Sequence, residues 1–253
     1  MIETIPIDGL IGSRAGFLLS YPVYDGEVAE ERLVELRGLG VEAVELQGRH
    51  AINGVPVLGK GHVGVVLAAR AGGRLVAVKV RRGDADRETL EREAELLRVA
   101  NGVSVGPRLF GVSRNFLLME LIEGEYLVDW VGDLEPGDAR VLRRVIGELL
   151  DRAHRLDMVG LDHGELSSAH RHVMVAGGVP RIIDFESAST GRRCSNVTSV
   201  SHYLFFNRRM RERVGGVLGL PERGALLEAL AGYKSGPSGE GLGALKSVLG
   251  LVE

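Results

Sequence analysis

A glycine-rich turn between two apolar segments constrains the fold of this chain more than any other feature. Residues 58–66 read L-G-K-G-H-V-G-V-V. β-Branched residues on both sides favour strands, and Gly72-Gly73 further along predicts the turn of a hairpin. Because glycine has no Cβ, the backbone at Gly59, Gly61 and Gly64 can approach phosphate oxygens closely and donate its N–H groups to them. The segment therefore predicts a β-hairpin with a phosphate-binding turn.

The next strand carries a lysine in the segment V-A-V-K at 76–79. The chain has 31 lysine and arginine residues, yet lysine occurs only at positions 60, 79, 234 and 246. A compact ammonium group at Lys79 suits contacts to the α- and β-phosphates of a nucleotide, which a broad guanidinium group fits poorly. The alternative is a chance lysine at the end of a strand. The glycine-rich turn, the lysine and the spacing between them together favour the ATP-binding arrangement of protein-kinase-like folds.

Two later segments supply carboxylates at the positions that kinase chemistry requires. Residues 163–167 read H-G-E-L-S after a long predicted helix, and residues 182–186 read I-I-D-F-E after an apolar strand. Glu165 is the candidate to orient an acceptor hydroxyl and take its proton. Asp184 is the candidate ligand for Mg²⁺, a hard cation that prefers oxygen. The alternatives are a turn cap for Asp184 and a solvated loop carboxylate for Glu165.

The order of predicted elements indicates an α+β, bilobal, protein-kinase-like fold. We expect an N-terminal extension at 1–53, a small β-rich lobe at 54–123 and a reduced helical lobe at 124–253, with ATP in the cleft. Apolar spacing predicts helices at 87–100 and 139–156. The side chains expected to face inward are Leu90, Ala94, Leu97 and Val99 in the first helix, and Val141, Val145, Leu149 and Ala153 in the second.

Composition places few further limits on the chain. The net charge of −3 gives no general signal for nucleic acid, although it leaves room for a local basic face. A single cysteine precludes an internal disulfide and suits a reducing cytosol. With no signal peptide and no apolar segment long enough to cross a bilayer, we expect a cytoplasmic protein without a membrane partner. The run Arg208–Arg213 is interpreted as a solvated helix face paired with acids.

The motifs and their order resemble those of the archaeal atypical kinases related to the RIO and Bud32 groups. The closest resemblance is to the archaeal RNA kinases, formerly described as predicted serine/threonine protein kinases, which phosphorylate a ribose 2′-hydroxyl in tRNA. The matching segments extend from about 54 to 200 and read G-K-G-H-V-G-V-V at 59–66, V-K-V-R-R-G-D-A-D-R at 78–87, M-E-L-I-E-G at 119–124, H-G-E-L-S at 163–167, H-V-M-V at 172–175, I-I-D-F-E-S-A-S at 182–189 and S-N-V-T-S at 195–199.

The resemblance implies ATP and Mg²⁺ as cofactors and tRNA as the substrate. It assigns catalysis to Lys79, Glu165 and Asp184, and it places Met119 behind an adenine held by main-chain groups of Glu120 and Ile122. The implied ATP-binding residues are Gly59, Lys60, Gly61, Gly64, Lys79, Glu93, Met119, Glu120 and Ile122. The implied metal ligands are Asp184, Glu186 and His172, and the candidate contacts to RNA are Arg81, Arg82, Arg192 and Arg193.

Two departures from the usual kinase pattern keep alternatives open. Glu165 stands where most kinases have aspartate, so its extra methylene changes the acceptor geometry. The asparagine that usually helps to bind magnesium is absent, and either His170, at the same offset, or His172 replaces it. A protein serine/threonine kinase and a nucleotide-binding pseudokinase that serves as a scaffold are therefore the alternative functions.

Overall fold

The computed structural model describes residues 2–251 and confirms the predicted α+β class. The chain forms two compact units. The first comprises Met1–Leu97 and Pro107–Leu121, and the second comprises Arg98–Gly106 and Ile122–Glu253. A mostly antiparallel sheet dominates the first unit, and helices dominate the second.

The first unit is built on a seven-stranded antiparallel sheet. Its strands are β1 (Glu3–Pro6), β2 (Val41–Leu46), β5 (Gly59–Lys60), β6 (Gly64–Ala71), β7 (Arg74–Arg81), β8 (Leu109–Val112) and β9 (Phe116–Glu120), while β3 (His50–Ile52) and β4 (Val55–Val57) form a separate hairpin. The order along the sheet is β1-β2-β6-β7-β9-β8, and β5 pairs with β6 beside the glycine-rich turn.

The predicted hairpin turn at Gly72-Gly73 is confirmed, and Asn53-Gly54 forms a second one. Gly72 and Gly73 connect β6 to β7 with φ angles of 56° and 71°. Asn53 and Gly54 connect β3 to β4 with φ angles of 50° and 78°. Two consecutive positive φ angles are what a two-residue hairpin turn requires, and glycine and asparagine tolerate them best.

Residues 1–53 are part of the first unit and share its core. Strands β1 and β2 extend the sheet next to β6, and helix α1 (Gly26–Gly38) follows a turn of 3₁₀ helix at Gly16–Leu19. Leu18 and Leu36 from this segment belong to the same buried cluster as Val65 and Val78 of the central strands. The segment therefore contributes directly to the packing of the strand that carries Lys79.

A buried polar network fastens α1 to the end of β7. The Nη1 group of Arg32 donates to Leu19 O at 2.5 Å and to Arg81 O at 2.7 Å, and burial lowers the pKa of this guanidinium to about 10. Burial tends to raise the pKa of the Glu35 carboxyl, but hydrogen bonds from Ser113 and Asn115 outweigh this and hold it below its ordinary value. The Glu35 carboxylate is thus stabilised by hydrogen bonds within the unit, and two carbonyl oxygens accept from Arg32.

The second unit combines helices with a three-stranded antiparallel sheet in the order β10-β11-β12. The strands are β10 (Glu125–Tyr126), β11 (Val173–Ala176) and β12 (Val179–Ile182). Helix α2 (Glu91–Gly102) crosses from the first unit into the second, and the other helices are α3 (Leu127–Gly132), α4 (Ala139–Met158), α5 (Ala169–His172), α6 (Asn196–Phe206), α7 (Arg208–Leu218), α8 (Arg223–Ser235) and α9 (Gly239–Val248).

The helices at α2 and α4 are confirmed, but two inward assignments are wrong. Val99 is 39% exposed and Val141 is 37% exposed. Each lies about 100° or more from the centre of the buried stripe of its helix, at about 100° per residue. No helix within residues 2–251 combines the length and the apolar character needed to cross a lipid bilayer.

Candidate functional site

A buried ion pair joins β7 to α2 in the first unit. Lys79 and Glu93 are each 4% exposed, and Lys79 Nζ lies 2.9 Å from both carboxylate oxygens of Glu93. The neighbouring carboxylates Glu91 and Glu95 are exposed, and Glu95 pairs with Arg92 at 3.0 Å. The structure therefore brings together Lys79 and Glu93, two of the residues that the resemblance implies in ATP binding.

Gly64, at the end of the glycine-rich turn, makes room for the Lys79 side chain. A Cβ at Gly64 would lie 2.9 Å from Lys79 Cγ, closer than real Cβ contacts, and 3.0 Å from both Lys79 Cε and Val80 O, tighter than most of them. At Gly59 a Cβ would meet only the Val66 side chain, at an ordinary 3.7 Å. The absence of a side chain at Gly64 thus allows the lysine stem to lie against the turn.

The remaining turn residues hold one another in place. Gly61 N donates to Gly64 O at 2.8 Å, and Arg82 N donates to Val63 O at 2.8 Å. Arg82 Nη1 also donates to Gly61 O at 3.0 Å, while its other nitrogens bind both oxygens of Asp84 at 2.8 and 2.7 Å. Arg82 is therefore a support of the glycine turn.

Tyr21 adds a second support, from the N-terminal segment. Its ring centroid lies 5.3 Å from Lys60 Nζ and 5.1 Å from Arg82 Cζ, within the range of cation–π attraction. Gly83 N also donates to Tyr21 O at 2.7 Å. No sequence pattern predicts this contact, because Tyr21 lies in a segment without hydrophobic periodicity.

The other arginines proposed to contact RNA also have partners in the protein. Arg81 Nε donates to Asn115 Oδ1 at 2.9 Å. Arg192 pairs with Asp162 at 3.1 Å, and Arg193 donates to the carbonyl oxygen of Lys234. A role in RNA binding for these residues and Arg82 remains a prediction, and the proposals below do not depend on it.

The segment predicted to bind adenine contains Met119, Glu120 and Ile122. Met119 and Glu120 end β9, and Ile122 follows it; all three are half-buried. Glu120 N donates to Arg108 O at 2.8 Å, and the Glu120 carboxylate accepts from Arg108 N at 3.0 Å. The N–H of Glu120 is thus used within the sheet, so the other main-chain groups of the segment are the candidates for binding a base.

In the second unit, Glu165 stands beside a histidine. It immediately precedes a turn of 3₁₀ helix at Leu166–Ser168, and its side chain is 40% exposed. Glu165 Oε2 lies 3.8 Å from Nε2 of His172, whose side chain is 7% exposed. Of the two histidines predicted as metal ligands, His172 contacts the Glu165 carboxylate, whereas His170 stacks on Tyr203 with ring centroids 6.0 Å apart.

A fully buried histidine connects the loop of Glu165 to that of Asp184. His163 Nε2 lies 3.0 Å from Ile183 O, which can only accept, so Nε2 carries the proton. The His163 ring packs edge-to-face on Phe185 at 5.0 Å. Burial lowers the His163 pKa to about 4, so the ring is neutral at pH 7. The motif H-G-E-L-S contained this residue, but no role was predicted for it.

Asp184 follows β12 in a left-handed backbone conformation. Its φ angle is 64°, which residues other than glycine rarely adopt. Ile183 N donates to His172 O at 2.9 Å and so fixes the residue just before the turn. Such strained positions occur preferentially at functional sites. The half-buried Asp184 and Glu186 therefore occupy a sharply turned segment held by two histidine residues.

The fit of this segment to magnesium depends on its donors. Within residues 2–251, no group of three or more histidine, cysteine, aspartate or glutamate side chains is arranged to hold a metal ion. Phosphate-transferring sites bind Mg²⁺ through one or two carboxylates together with water and substrate phosphates. Asp184 and Glu186 fit this pattern. His172 fits less well, because imidazole is a poor magnesium ligand and this ring already contacts Glu165.

Comparison with known proteins gives no independent assignment. No protein-family model matches the chain, and no curated protein matches it. The function is therefore inferred from the residues and their geometry.

Proposed function

We propose that this protein is an ATP-dependent phosphotransferase whose two units are the lobes of a protein-kinase-like fold. The acceptor is a hydroxyl group, assigned to a ribose 2′-hydroxyl of tRNA. The observation that carries the proposal is the buried Lys79–Glu93 pair lying against Gly64. A strand lysine paired with a helix glutamate next to a glycine-rich turn is the arrangement that binds ATP phosphates in kinases.

A purely structural role explains this pair less well. Removing two charges from water is costly, and replacing a buried ion pair by apolar side chains is often neutral or stabilising. Lys79 and Glu93 are both 4% exposed in a sheet-and-helix core otherwise rich in valine and leucine. Retention of a positive charge at this position is readily explained if Lys79 binds an anion.

The first unit supplies the phosphate-binding groups. Lys79 binds the α- and β-phosphates through its ammonium group, and Glu93 fixes the direction of that group. Gly64 leaves room for the lysine stem, and Tyr21 with Arg82 holds the turn. Because the turn is braced before ligand binds, less conformational entropy is lost on binding.

The second unit supplies the carboxylates. Asp184, with Glu186, would hold Mg²⁺, which when bound neutralises charge on the phosphate oxygens. His163 keeps the Ile183 carbonyl hydrogen-bonded while remaining neutral itself, and thereby fixes the backbone from which Asp184 projects.

Glu165 is the acceptor-activating group. Its carboxylate orients the hydroxyl and takes the proton as the oxygen attacks the γ-phosphorus. The new bond joins the acceptor oxygen to the γ-phosphorus, and the bond from that phosphorus to the β,γ-bridging oxygen breaks, so ADP leaves. His172 positions Glu165 from a buried site 3.8 Å away.

The transfer of labelled γ-phosphate tests this proposal. The protein is incubated with γ-labelled ATP and Mg²⁺ and either total tRNA or a protein mixture, and labelled RNA is digested and analysed by mass. We expect a phosphorylated ribose. Asp184→Asn is the negative control, since asparagine tolerates the left-handed backbone at this position.

The outcomes separate the candidate functions. Label only in protein would reject the RNA acceptor and support a protein serine/threonine kinase. Label in neither substrate, with ATP still bound, would reject phosphotransfer and support a pseudokinase. If Asp184→Asn still labels RNA, Asp184 is not the metal-binding carboxylate.

A further inference from the structure

A basic pocket in the second unit lies outside the site described above. It has a volume of about 290 Å³ and is formed by the end of α6, the first turns of α7 and the start of α8 with the segment before it. That volume is near the lower end of ligand pockets, about 300–1,000 Å³, and suits one nucleotide-sized group. Its lining includes three arginines and an apolar surface, contributed by Arg208, Arg211, Arg223, Phe206, Leu220 and Pro221.

The arginines of this pocket differ from those predicted to contact RNA. Arg81, Arg82 and Arg192 all bind protein atoms. Within residues 2–251, the guanidinium groups of Arg211 and Arg223 have no hydrogen-bonding or ion-pairing partner, and both residues are exposed. They are thus available to an external anion.

Charge on α7 runs against the helix dipole. The helix begins at Arg208 and its first turn contains no acidic residue. Cations near a helix N-terminus are unfavourable, by roughly 0.3–1 kcal/mol each when exposed. Glu212, also in the lining, pairs with Arg208 at 3.3 Å, but the order arginine-then-glutamate opposes the dipole too. A bound anion would compensate this arrangement, which the fold itself does not explain.

The aromatic ring of Phe206 lines the same pocket. His202, which does not line the pocket, stacks on this ring with ring centroids 5.1 Å apart and an interplanar angle of 14°. Arg223 Cζ lies 5.9 Å from the Phe206 centroid. Leu220, 41% exposed, and Pro221 add apolar surface. Phosphate-binding guanidinium groups combined with an aromatic platform are the elements that bind single-stranded nucleic acid.

We propose that this pocket binds an unpaired nucleotide of the RNA substrate. The three arginines contact backbone phosphates, and the base packs against Phe206 and the neighbouring apolar side chains. The proposal rests on the RNA acceptor of the proposed function, and it adds a substrate-binding surface separate from the groups that perform transfer. An acidic peptide would use the arginines but gain little from the aromatic platform, so RNA is favoured.

The test is a salt titration of tRNA binding measured by fluorescence anisotropy. The pocket variant is Arg208→Gln/Arg211→Gln/Arg223→Gln. The matched control is Arg98→Gln/Arg140→Gln/Arg143→Gln. It removes the same charge from exposed arginines elsewhere in the second unit. Loss of three phosphate contacts should reduce the slope of log Kd against log salt by about 2 and weaken binding at least tenfold near 0.1 M salt. The control should shift both quantities much less.

Further measurements separate recognition of the base from simple attraction between charges. Phe206→Leu retains an apolar side chain but removes the ring, so it should weaken tRNA binding while leaving inorganic polyphosphate binding unchanged. If the pocket variant binds tRNA as wild type does, or if the control loses as much, the proposal is wrong. Poly-glutamate that competes as well as RNA of equal charge would also overturn it.

The same variants distinguish this proposal from the proposed function. The pocket variant should bind ATP with wild-type affinity, because none of its residues belongs to the phosphate or acceptor sites. Arginine-dependent tRNA binding without phosphate transfer by the wild type would refute the RNA acceptor and leave the pocket standing. Transfer that is equally efficient in the pocket variant at low tRNA concentration would refute the pocket alone.

Discussion

Replacing Lys79 by methionine is expected to destabilise the protein as well as weaken phosphate binding. Removing one partner of a buried pair leaves the other charge uncompensated, which costs about 3–5 kcal/mol. Glu93, at 4% exposure, would lose its ammonium partner at 2.9 Å. Since whole domains are stable by only about 5–15 kcal/mol, loss of activity in Lys79→Met alone would not separate lost function from lost folding.

The double variant Lys79→Met/Glu93→Leu removes both charges and should recover that stability. Replacing a buried pair by apolar side chains is typically neutral or stabilising by about 1–4 kcal/mol. Urea unfolding followed by circular dichroism measures each free energy of unfolding. Lys246→Met is the control, because Lys246 pairs with Asp151 at 2.6 Å near the surface and such pairs contribute about 0–1 kcal/mol.

Two results would refute this reasoning. If Lys79→Met were as stable as wild type, the pair would not be buried as the structure has it. If the double variant were as unstable as the single one, lost packing would account for the effect, and the uncompensated charge on Glu93 would not.

Three further predictions concern the turn and the buried histidine. Gly64→Ala should weaken ATP binding, because its Cβ would lie 2.9 Å from the Lys79 side chain, whereas Gly59→Ala should be nearly neutral; calorimetric titration with ATP compares them. Tyr21→Leu removes the ring that two cations of the turn contact, and limited proteolysis should then cut that turn faster. His163 has a pKa near 4 when folded and about 6.5 when unfolded, so its contribution to stability is complete above pH 6.5 and decreases as the pH falls to 4, by roughly 3 kcal/mol in total. His163→Gln should lack this part of the pH dependence in denaturant titrations, and an unchanged pH profile would disprove the assignment.

Local backbone chemistry made part of the fold predictable. The two hairpin turns require positive φ angles, and the residues that tolerate them are visible in the sequence at Asn53-Gly54 and Gly72-Gly73. The choice of Glu93 over its neighbours follows from helical spacing, since Glu93 lies on the same face of α2 as the buried Leu97. These features depend on neighbours within a few residues.

Contacts between distant segments were not predictable. Tyr21 reaches Arg82, 61 positions away, and Arg32 reaches Arg81 O, and neither contact leaves a periodic signal. The sequence predicts RNA contacts at Arg81 and Arg82, at and just after the end of the Lys79 strand, but both side chains bind protein atoms. Whether an arginine has a hydrogen-bonding or ion-pairing partner depends on tertiary packing. For Arg211 and Arg223, only the structure answers this question.

The most direct test of the central claim is calorimetric titration of the wild type and Lys79→Met/Glu93→Leu with ATP and Mg²⁺. The claim predicts that the wild type binds ATP and that the folded double variant binds it about tenfold to a hundredfold more weakly, as expected when a charged hydrogen-bonding group is lost. Equal affinity in two equally folded proteins would contradict the assignment of Lys79 as the phosphate-binding residue.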